Sequence, residues 1–356
     1  MITVKTDDRI RLLSSILALT VGNDDLKDWA HPHPLRIATQ RYLEQFRSHA
    51  CVSMVEEISR NFPKNMPHGG FFYQIALLLK EPPDIEWDID SSGNRDPKKG
   101  LKKTFTPYLK DELHRGIISS FLEIADGFPL LLSDFYRVTR LGDFWLEHAV
   151  WWEEATQQCE EILSSVSMSG WLSDFYGETR ERFFLVPNPT DPSSDCYYSG
   201  VRKDRVYAII GPPSVSIDRE AADSEHRYAL RPEYVIITTF HEFSHGFLNP
   251  ILNANPSYVE KTENLQKRND LRGWFPAVYT NWKTQFEEIL IRASTALFLA
   301  QVEGEAKAEQ FMTREKEQHG IHAIDELYTR LLDFHDGRKD GKYSNILDYL
   351  KSLSAS

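Results

Sequence analysis

Three residues in one short segment have the types and the spacing that metal-dependent hydrolysis requires. The segment TTFHEFSHGFLNP, residues 238–250, contains His241, Glu242 and His245. Residues four apart lie on the same face of a helix, so both imidazoles can bind one ion at about 2.0–2.1 Å. Glu242 follows the first histidine, where its carboxylate can take a proton from water and pass it to a leaving amine. We therefore predict a Zn2+ site with Glu242 as the catalytic base.

The residues around this motif bear on whether it binds metal or is simply a pair of hydrogen-bonded histidines. Its flanking positions are apolar: Tyr234, Val235, Ile236, Ile237, Phe240, Phe243, Phe247 and Leu248. A helix of this composition is expected to be buried, and histidines or a glutamate inside it need partners. We therefore favour the metal site.

The third ligand has to come from outside the motif. One class of such sites uses a histidine six residues after the second histidine, preceded by a glycine; here Leu248 and Ile251 occupy those positions and exclude that class. Three later acids lie in a polar stretch and are expected to be solvated: Glu260, Glu263 and Asp270. Glu287 and Glu288 remain, and at about 100° per residue both lie about 130° from their helix's apolar stripe, on opposite sides. Periodicity leaves both open.

The surrounding elements follow from hydrophobic periodicity and from turn residues. Helical spacing of apolar residues predicts helices over 34–62, 106–128 and 144–166. Aromatic and β-branched runs predict three short strands, which we expect to pair antiparallel, over 181–190, 194–202 and 204–213. The run 206–211 is either an edge strand that aligns a peptide substrate or an ordinary strand.

Helical periodicity returns after Pro232 and includes the two histidines. Asn249 and Pro250 are expected to end that helix, with Asn249 as its cap. A second long helix is expected from about residue 277 to 302, followed by a helical tail. The predicted fold class is α+β and helix-rich, with a helical region over 1–180 and a catalytic region over 181–356 that has a small antiparallel sheet before the histidine helix.

The segments HEFSHGFLNP and YTNWKTQFEEILIRA resemble a bacterial family of zincin-like proteins without an assigned activity. Members share H-E-F-S-H-x-F-x-N-P and then E-x-L-x-R-A, and the similarity covers residues 235–300. In that pattern the glutamate lies five residues before the alanine, and Ala293 therefore points to Glu288. The resemblance implies a gluzincin-type core with His241, His245 and Glu288 as metal ligands. It implies no particular substrate.

A hydrolase of this type also needs a hydrogen-bond donor for the oxyanion that forms during the reaction. Tyr279 is the first candidate, followed by His226 and Tyr228. Tyr279 lies nine residues before Glu288, which is half a turn out of phase on a continuous helix. It can reach the site only if the helix begins after it.

Composition limits the partners and the location of the chain. Its formal net charge is −12, which disfavours nucleic acid and anionic membranes as partners. The run 12–21 is preceded by acids and is expected to be an amphipathic helix, not a signal peptide, and no apolar run reaches the ~18 residues of a membrane span. The three cysteines, Cys51, Cys159 and Cys196, are far apart and are expected to be reduced thiols of a cytoplasmic protein.

The predicted function is therefore a zinc-dependent peptidase that acts on peptides or proteins. Two alternatives remain open. One is a metal-dependent hydrolase of a non-peptide amide or ester, and the other is a non-catalytic binding protein with the same fold. Glu242 disfavours the second alternative, because a structural metal site has no use for that carboxylate.

Overall fold

The computed structural model describes residues 1–21, 33–62, 69–88, 98–99, 101–102, 112–177, 182–193, 197–202, 204–212 and 230–353. The helices of the first half are α1 (Asp8–Thr20), α2 (Pro34–Leu43), α3 (Ala50–Ser59), α4 (Gly69–Leu77), α5 (Glu112–Ile124), α6 (Phe128–Val138), α7 (Leu141–Glu147), α8 (Ala149–Ser164) and α9 (Met168–Tyr176). Those of the second half are α10 (Pro232–Ala254), α11 (Pro256–Glu260), α12 (Glu263–Gln266), α13 (Phe275–Val278), α14 (Trp282–Val302), α15 (Glu305–His319), α16 (Ile324–Lys339) and α17 (Ile346–Leu353). The α+β, helix-rich class is confirmed. The division near residue 180 stays a prediction.

The sheet is mixed, and the expectation of an antiparallel sheet is wrong. Its strands are β1 (Ile2–Val4), β2 (Arg182–Pro187), β3 (Tyr197–Arg202) and β4 (Arg205–Ile210), in the spatial order β1-β2-β4-β3. The short connection between β3 and β4 makes them an antiparallel pair, whereas β1 and β4 both run parallel to β2. Because β4 is paired on both sides, it cannot be the substrate-aligning edge that we considered; β3 is the edge strand beside it.

The sheet separates two hydrophobic clusters. Alternate residues of β4 point to opposite sides, so that Val206 and Ala208 pack with α10 and α14 while Tyr207 and Ile209 pack with the N-terminal helices. Burial of both faces accounts for the continuous apolar run of this strand. The sheet therefore supports α10 from one side, and the helices of the first half support the sheet from the other.

Helix α10 continues past the point where the sequence predicts its end. Pro250 lies inside the helix, which ends at Ala254. A proline inside a helix costs about 3 kcal/mol. Ile251 and Leu252 are buried in the last turn, and burial of such a side chain contributes about 1.5–3 kcal/mol. Packing of these two residues therefore offsets the local cost, and Asn249 is not a helix cap.

Two other predictions concern the thiols and membrane spans. Cys51 and Cys159 are buried free thiols, and Cys196 lies outside the described residues. No single helix in the described part of the chain is long and apolar enough to cross a membrane. The helix pair Arg115–Ile124 and Phe128–Val138, which is bent by 73° at its junction, has together the length and composition of a span.

Gly246 allows α10 to lie close against β4, and its replacement should be measurable. A Cβ atom at this position would lie 2.5 Å from Cγ1 of Val206, a stiff β-branched side chain in the core. We expect Gly246→Ala to lower the free energy of unfolding by about 1–2 kcal/mol, because overpacking of about 1–3 kcal/mol exceeds the gain in helix propensity of about 0.5–1 kcal/mol. Urea denaturation followed by circular dichroism would measure it.

Gly116 provides the matched control. It also lies inside a helix, α5, but a Cβ atom there would meet nothing within 4 Å. Gly116→Ala should raise the free energy of unfolding by up to about 1 kcal/mol. Equal effects of the two substitutions would contradict the close approach of α10 to β4.

Candidate metal centre

Two helices bring the predicted ligands together. His241 and His245 lie one turn apart on α10, and Glu288 lies on the facing helix α14. Each residue offers one ligand atom, and these atoms lie within 4.8 Å of one another. The Glu288 carboxylate spans the pair, with Oε2 3.3 Å from His241 Nε2 and Oε1 3.3 Å from His245 Nε2. All three side chains are buried.

The two imidazoles experience opposite electrostatic effects. Burial lowers the pKa of His241 to about 4, because the apolar surroundings disfavour its charged form. Burial acts on His245 in the same direction, but the Glu288 and Glu287 carboxylates outweigh it and raise the His245 pKa well above its ordinary value. For Glu288, burial opposes ionisation, yet the two histidines hold its pKa well below the ordinary range. The cluster therefore favours a carboxylate that faces positive charge.

Glu242 is beside the cluster but is not one of the three convergent groups. Its Oε1 lies 3.9 Å from His241 Nε2, and its side chain is buried. Burial raises the pKa of Glu242 to about 8, with a further contribution from the Glu288 carboxylate. A carboxyl group with such a pKa can both accept and release a proton near neutral pH.

Glu287 and Asn249 both contact the outer nitrogen of His245. The Nδ1 atom lies 3.4 Å from Glu287 Oε1 and 3.1 Å from Asn249 Oδ1. Lys283 Nζ lies 3.8 Å from Glu287 Oε2. Histidine ligands in metal sites usually donate this second nitrogen to a carboxylate or carbonyl, which fixes the orientation of the ring. The neighbouring glutamates thus have different places: Glu288 faces both imidazoles, and Glu287 faces the far side of one.

An ion pair behind Glu288 restrains its carboxylate. Arg292, one turn further along α14, has Nη2 3.9 Å from Glu288 Oε2. Its Nη1 donates a hydrogen bond of 2.7 Å to Glu315 Oε2 on α15. Both side chains are buried, so each would be costly without the other. The hydrogen bond to Glu315 therefore fixes the guanidinium at ion-pair distance from Glu288.

Two tyrosines stand at the same centre. Tyr279 lies before α14, which begins at Trp282 with Asn281 as its N-cap, so the condition for its approach is met. Gln285 Nε2 donates to the Tyr279 carbonyl at 2.8 Å. Burial, and then the Glu288 carboxylate, raises the pKa of the Tyr279 phenol well above its ordinary value. The ring of Tyr197, the first residue of β3, lies edge-on to His241 with centroids 5.6 Å apart.

Sequence reasoning missed Tyr197 and Glu315. Tyr197 lies in a run whose pattern predicts only a strand, although the alternation of Tyr197 and Tyr198 along that strand places the two rings on opposite faces. Glu315 lies among the charged residues of α15, where nothing local distinguishes it from a solvated acid. The candidates His226 and Tyr228 lie outside the described residues.

The donor set fits a divalent metal ion. Two imidazole nitrogens and one carboxylate oxygen are the ligand set of many catalytic zinc sites, which keep a fourth position for water or substrate. Glu288 Oε2 is buried without an aligned hydrogen-bond partner, which is unusual for a carboxylate oxygen and is explained if the atom is a ligand.

A helix with two histidines one turn apart and a facing helix with a glutamate thus define a candidate His-His-Glu metal centre. The chain belongs to the family described as a domain of unknown function (DUF4932), whose model matches residues 2–355. Comparison with curated proteins and with solved structures finds no significant match. The resemblance to zincin-like proteins stays a prediction.

The adjacent glutamates allow a direct test of which one is a ligand. We expect Glu288→Gln to lower the affinity for Zn2+ by more than about 100-fold, because it removes the oxygen that faces both imidazoles. Glu287→Gln should cost about tenfold, as is typical of groups that only orient a ligand. Competition with a chromophoric chelator would measure both affinities. The opposite order would assign the ligand to Glu287.

Proposed function

We propose that the protein is a zinc-dependent hydrolase and that its substrates are peptides. The observation that supports it best is the convergence of His241, His245 and Glu288 next to Glu242, a buried carboxyl group that is not part of the ligand set. Three ligands with a fourth position left for water or substrate are characteristic of catalytic sites, whereas structural zinc sites use four protein ligands. The proposed activity rests on this chemistry and not on any relative.

The three ligands would hold the ion through the two Nε2 atoms and the Glu288 carboxylate. When bound, zinc supplies a Lewis acid that polarises a carbonyl and lowers the pKa of water to about 7. The protein contributes fixed ligand positions, since Arg292 restrains Glu288 and Glu287 restrains His245. It also contributes surroundings from which most solvent is excluded, where each electrostatic interaction is stronger than in water.

Glu242 would transfer the proton. Its carboxylate accepts a proton from the attacking water and later gives it to the nitrogen of the leaving amine. Because Glu242 is buried, its carboxyl group retains the accepted proton more readily than a solvated carboxylate would, and so can deliver it to the amine. Without this transfer the amine would have to leave as an unprotonated, poor leaving group.

Tyr279 would stabilise the oxyanion. Its raised pKa keeps the phenol protonated near neutral pH, so the hydroxyl group can donate a hydrogen bond. The Glu288 and Glu242 carboxylates both contribute to that raised pKa. Tyr197 has a similar environment, in which burial also raises the pKa of the phenol. We assign the role to Tyr279, which lies directly before the helix that carries Glu288.

The first experiment combines metal analysis with peptide hydrolysis. Purified protein should contain about one zinc per chain and cleave members of a peptide library. Glu242→Gln should retain zinc and lower kcat by about 10²–10⁴-fold, because it removes only the proton transfer. His245→Ala should lose zinc. A wild-type protein without zinc would refute the proposal, and a zinc-loaded protein that cleaves esters or small amides but no peptide would favour the non-peptide alternative.

The second experiment tests the oxyanion donor. Tyr279→Phe should lower kcat by about 10²–10³-fold with little change in KM, because the hydrogen bond strengthens only in the transition state. Tyr197→Phe is the comparison, since it keeps the ring against His241 and removes a second hydroxyl of the same centre. A loss confined to Tyr197→Phe would transfer the role to that residue.

A further inference from the structure

A cavity of about 310 Å3 opens beside the second histidine. Its walls come from three elements that are distant in sequence: the end of α4, the edge strand β3 and the last turns of α10. His245 is the lining residue that the cavity shares with the candidate metal centre. Its size is near the lower end of the ~300–1,000 Å3 that small-molecule sites occupy, which suits one side chain or a short segment.

The wall from the N-terminal helices is fixed by close packing against β3. Gly69 and Gly70 open α4, and a Cβ atom on either would lie 3.0 Å or less from the Tyr198 ring. At the other end, a Cβ atom on Gly200 would lie 2.2 Å from Leu77 Cδ1. Larger residues at these glycines would push α4 and β3 apart. The cavity is thus a built feature with defined walls.

The described side chains that line the cavity include no carboxylate, ammonium or guanidinium group. Among the described residues around the cavity none is Asp, Glu, Lys or Arg, although the whole chain has a net charge of −12. Leu77, Leu78, Val201 and Pro250 supply apolar surface, and amide and hydroxyl groups supply the rest. Two charged groups next to the lining, Glu287 at His245 and Lys283 at Asn253, lie 3.8 Å from each other and are paired, so an ionised side chain placed here would find no unpaired counter-charge. An uncharged side chain needs none.

We propose that this cavity receives an uncharged substrate side chain close to the scissile bond and thereby sets the specificity of the protein. The inference rests on the proposed peptidase function, since it identifies the class of peptide that the metal centre acts on. Val201 is the residue best suited to a test: it lines the cavity, yet it is 46% exposed, so a polar replacement is tolerated by the fold. Val150 on α8 is 55% exposed, does not line the cavity, and provides the control.

Binding is measured separately from hydrolysis. The probes are blocked peptides, acetyl-Ala-X-Ala-amide with Leu, Met, Gln, Lys or Glu at X, titrated calorimetrically into zinc-loaded Glu242→Gln protein. We expect the uncharged peptides to bind at least about tenfold more tightly than the Lys and Glu peptides. Adding Val201→Asp should improve binding of the Lys peptide by about tenfold, because it supplies the missing counter-charge. Adding Val150→Asp should leave the order unchanged.

The outcomes separate this inference from the proposed function. Identical binding profiles for the Val201→Asp and Val150→Asp proteins would overturn the assignment of the cavity, as would failure of every peptide to bind. A profile that changes only with Val201→Asp supports it. If that change is seen but the wild-type protein hydrolyses none of these peptides, the cavity remains a binding site for uncharged side chains and the peptidase proposal falls.

Discussion

The arrangement of the candidate metal ligands depends on the close packing of α10 between β4 and α14. Gly246 brings the helix against Val206, and another face of α10 presents both histidines to Glu288. A buried carboxylate is costly unless it meets positive charge or hydrogen-bond donors. A displacement of α10 by even one side-chain diameter would leave that carboxylate without them. The geometry of the metal centre therefore depends directly on the packing of α10 against the sheet.

The N-terminal helices belong to the same system although they hold none of the proposed ligands. They cover the second face of the sheet, and α4 supplies a wall of the cavity beside His245. The strand β3 links the two regions, because Tyr197 faces His241 while Tyr198 packs on the glycines of α4. A change in how the N-terminal helices pack on the sheet would therefore shift β3 and, with it, the Tyr197 ring beside His241.

The sequence predicted those features that depend on neighbours one helical turn apart. The pair His241 and His245 is an example, because a spacing of four residues fixes a shared face. Periodicity could not separate Glu287 from Glu288, since all residues of α14 from Gln285 to Leu299 are buried and the helix has no solvent face to serve as a reference. The parallel pairing of β1 with β2 and the continuation of α10 through Pro250 depend on distant contacts, which no local pattern contains.

Charge balance is the strongest physical reason for the proposed ion. Four buried carboxyl groups lie at or beside the centre: Glu242, Glu287, Glu288 and Glu315. Arg292 pairs with Glu315 and Lys283 lies 3.8 Å from Glu287, which leaves the charges of Glu242 and Glu288 to be balanced. Protonation can reduce this excess of buried negative charge, and the raised pKa values of Glu242 and His245 reflect it. A divalent cation is the other, and it would replace the proton on His245 with an interaction that both histidines and Glu288 share. The same cation would stabilise the ionised form of Glu242, so one ion would both offset the buried negative charge and keep the base in the form that accepts a proton.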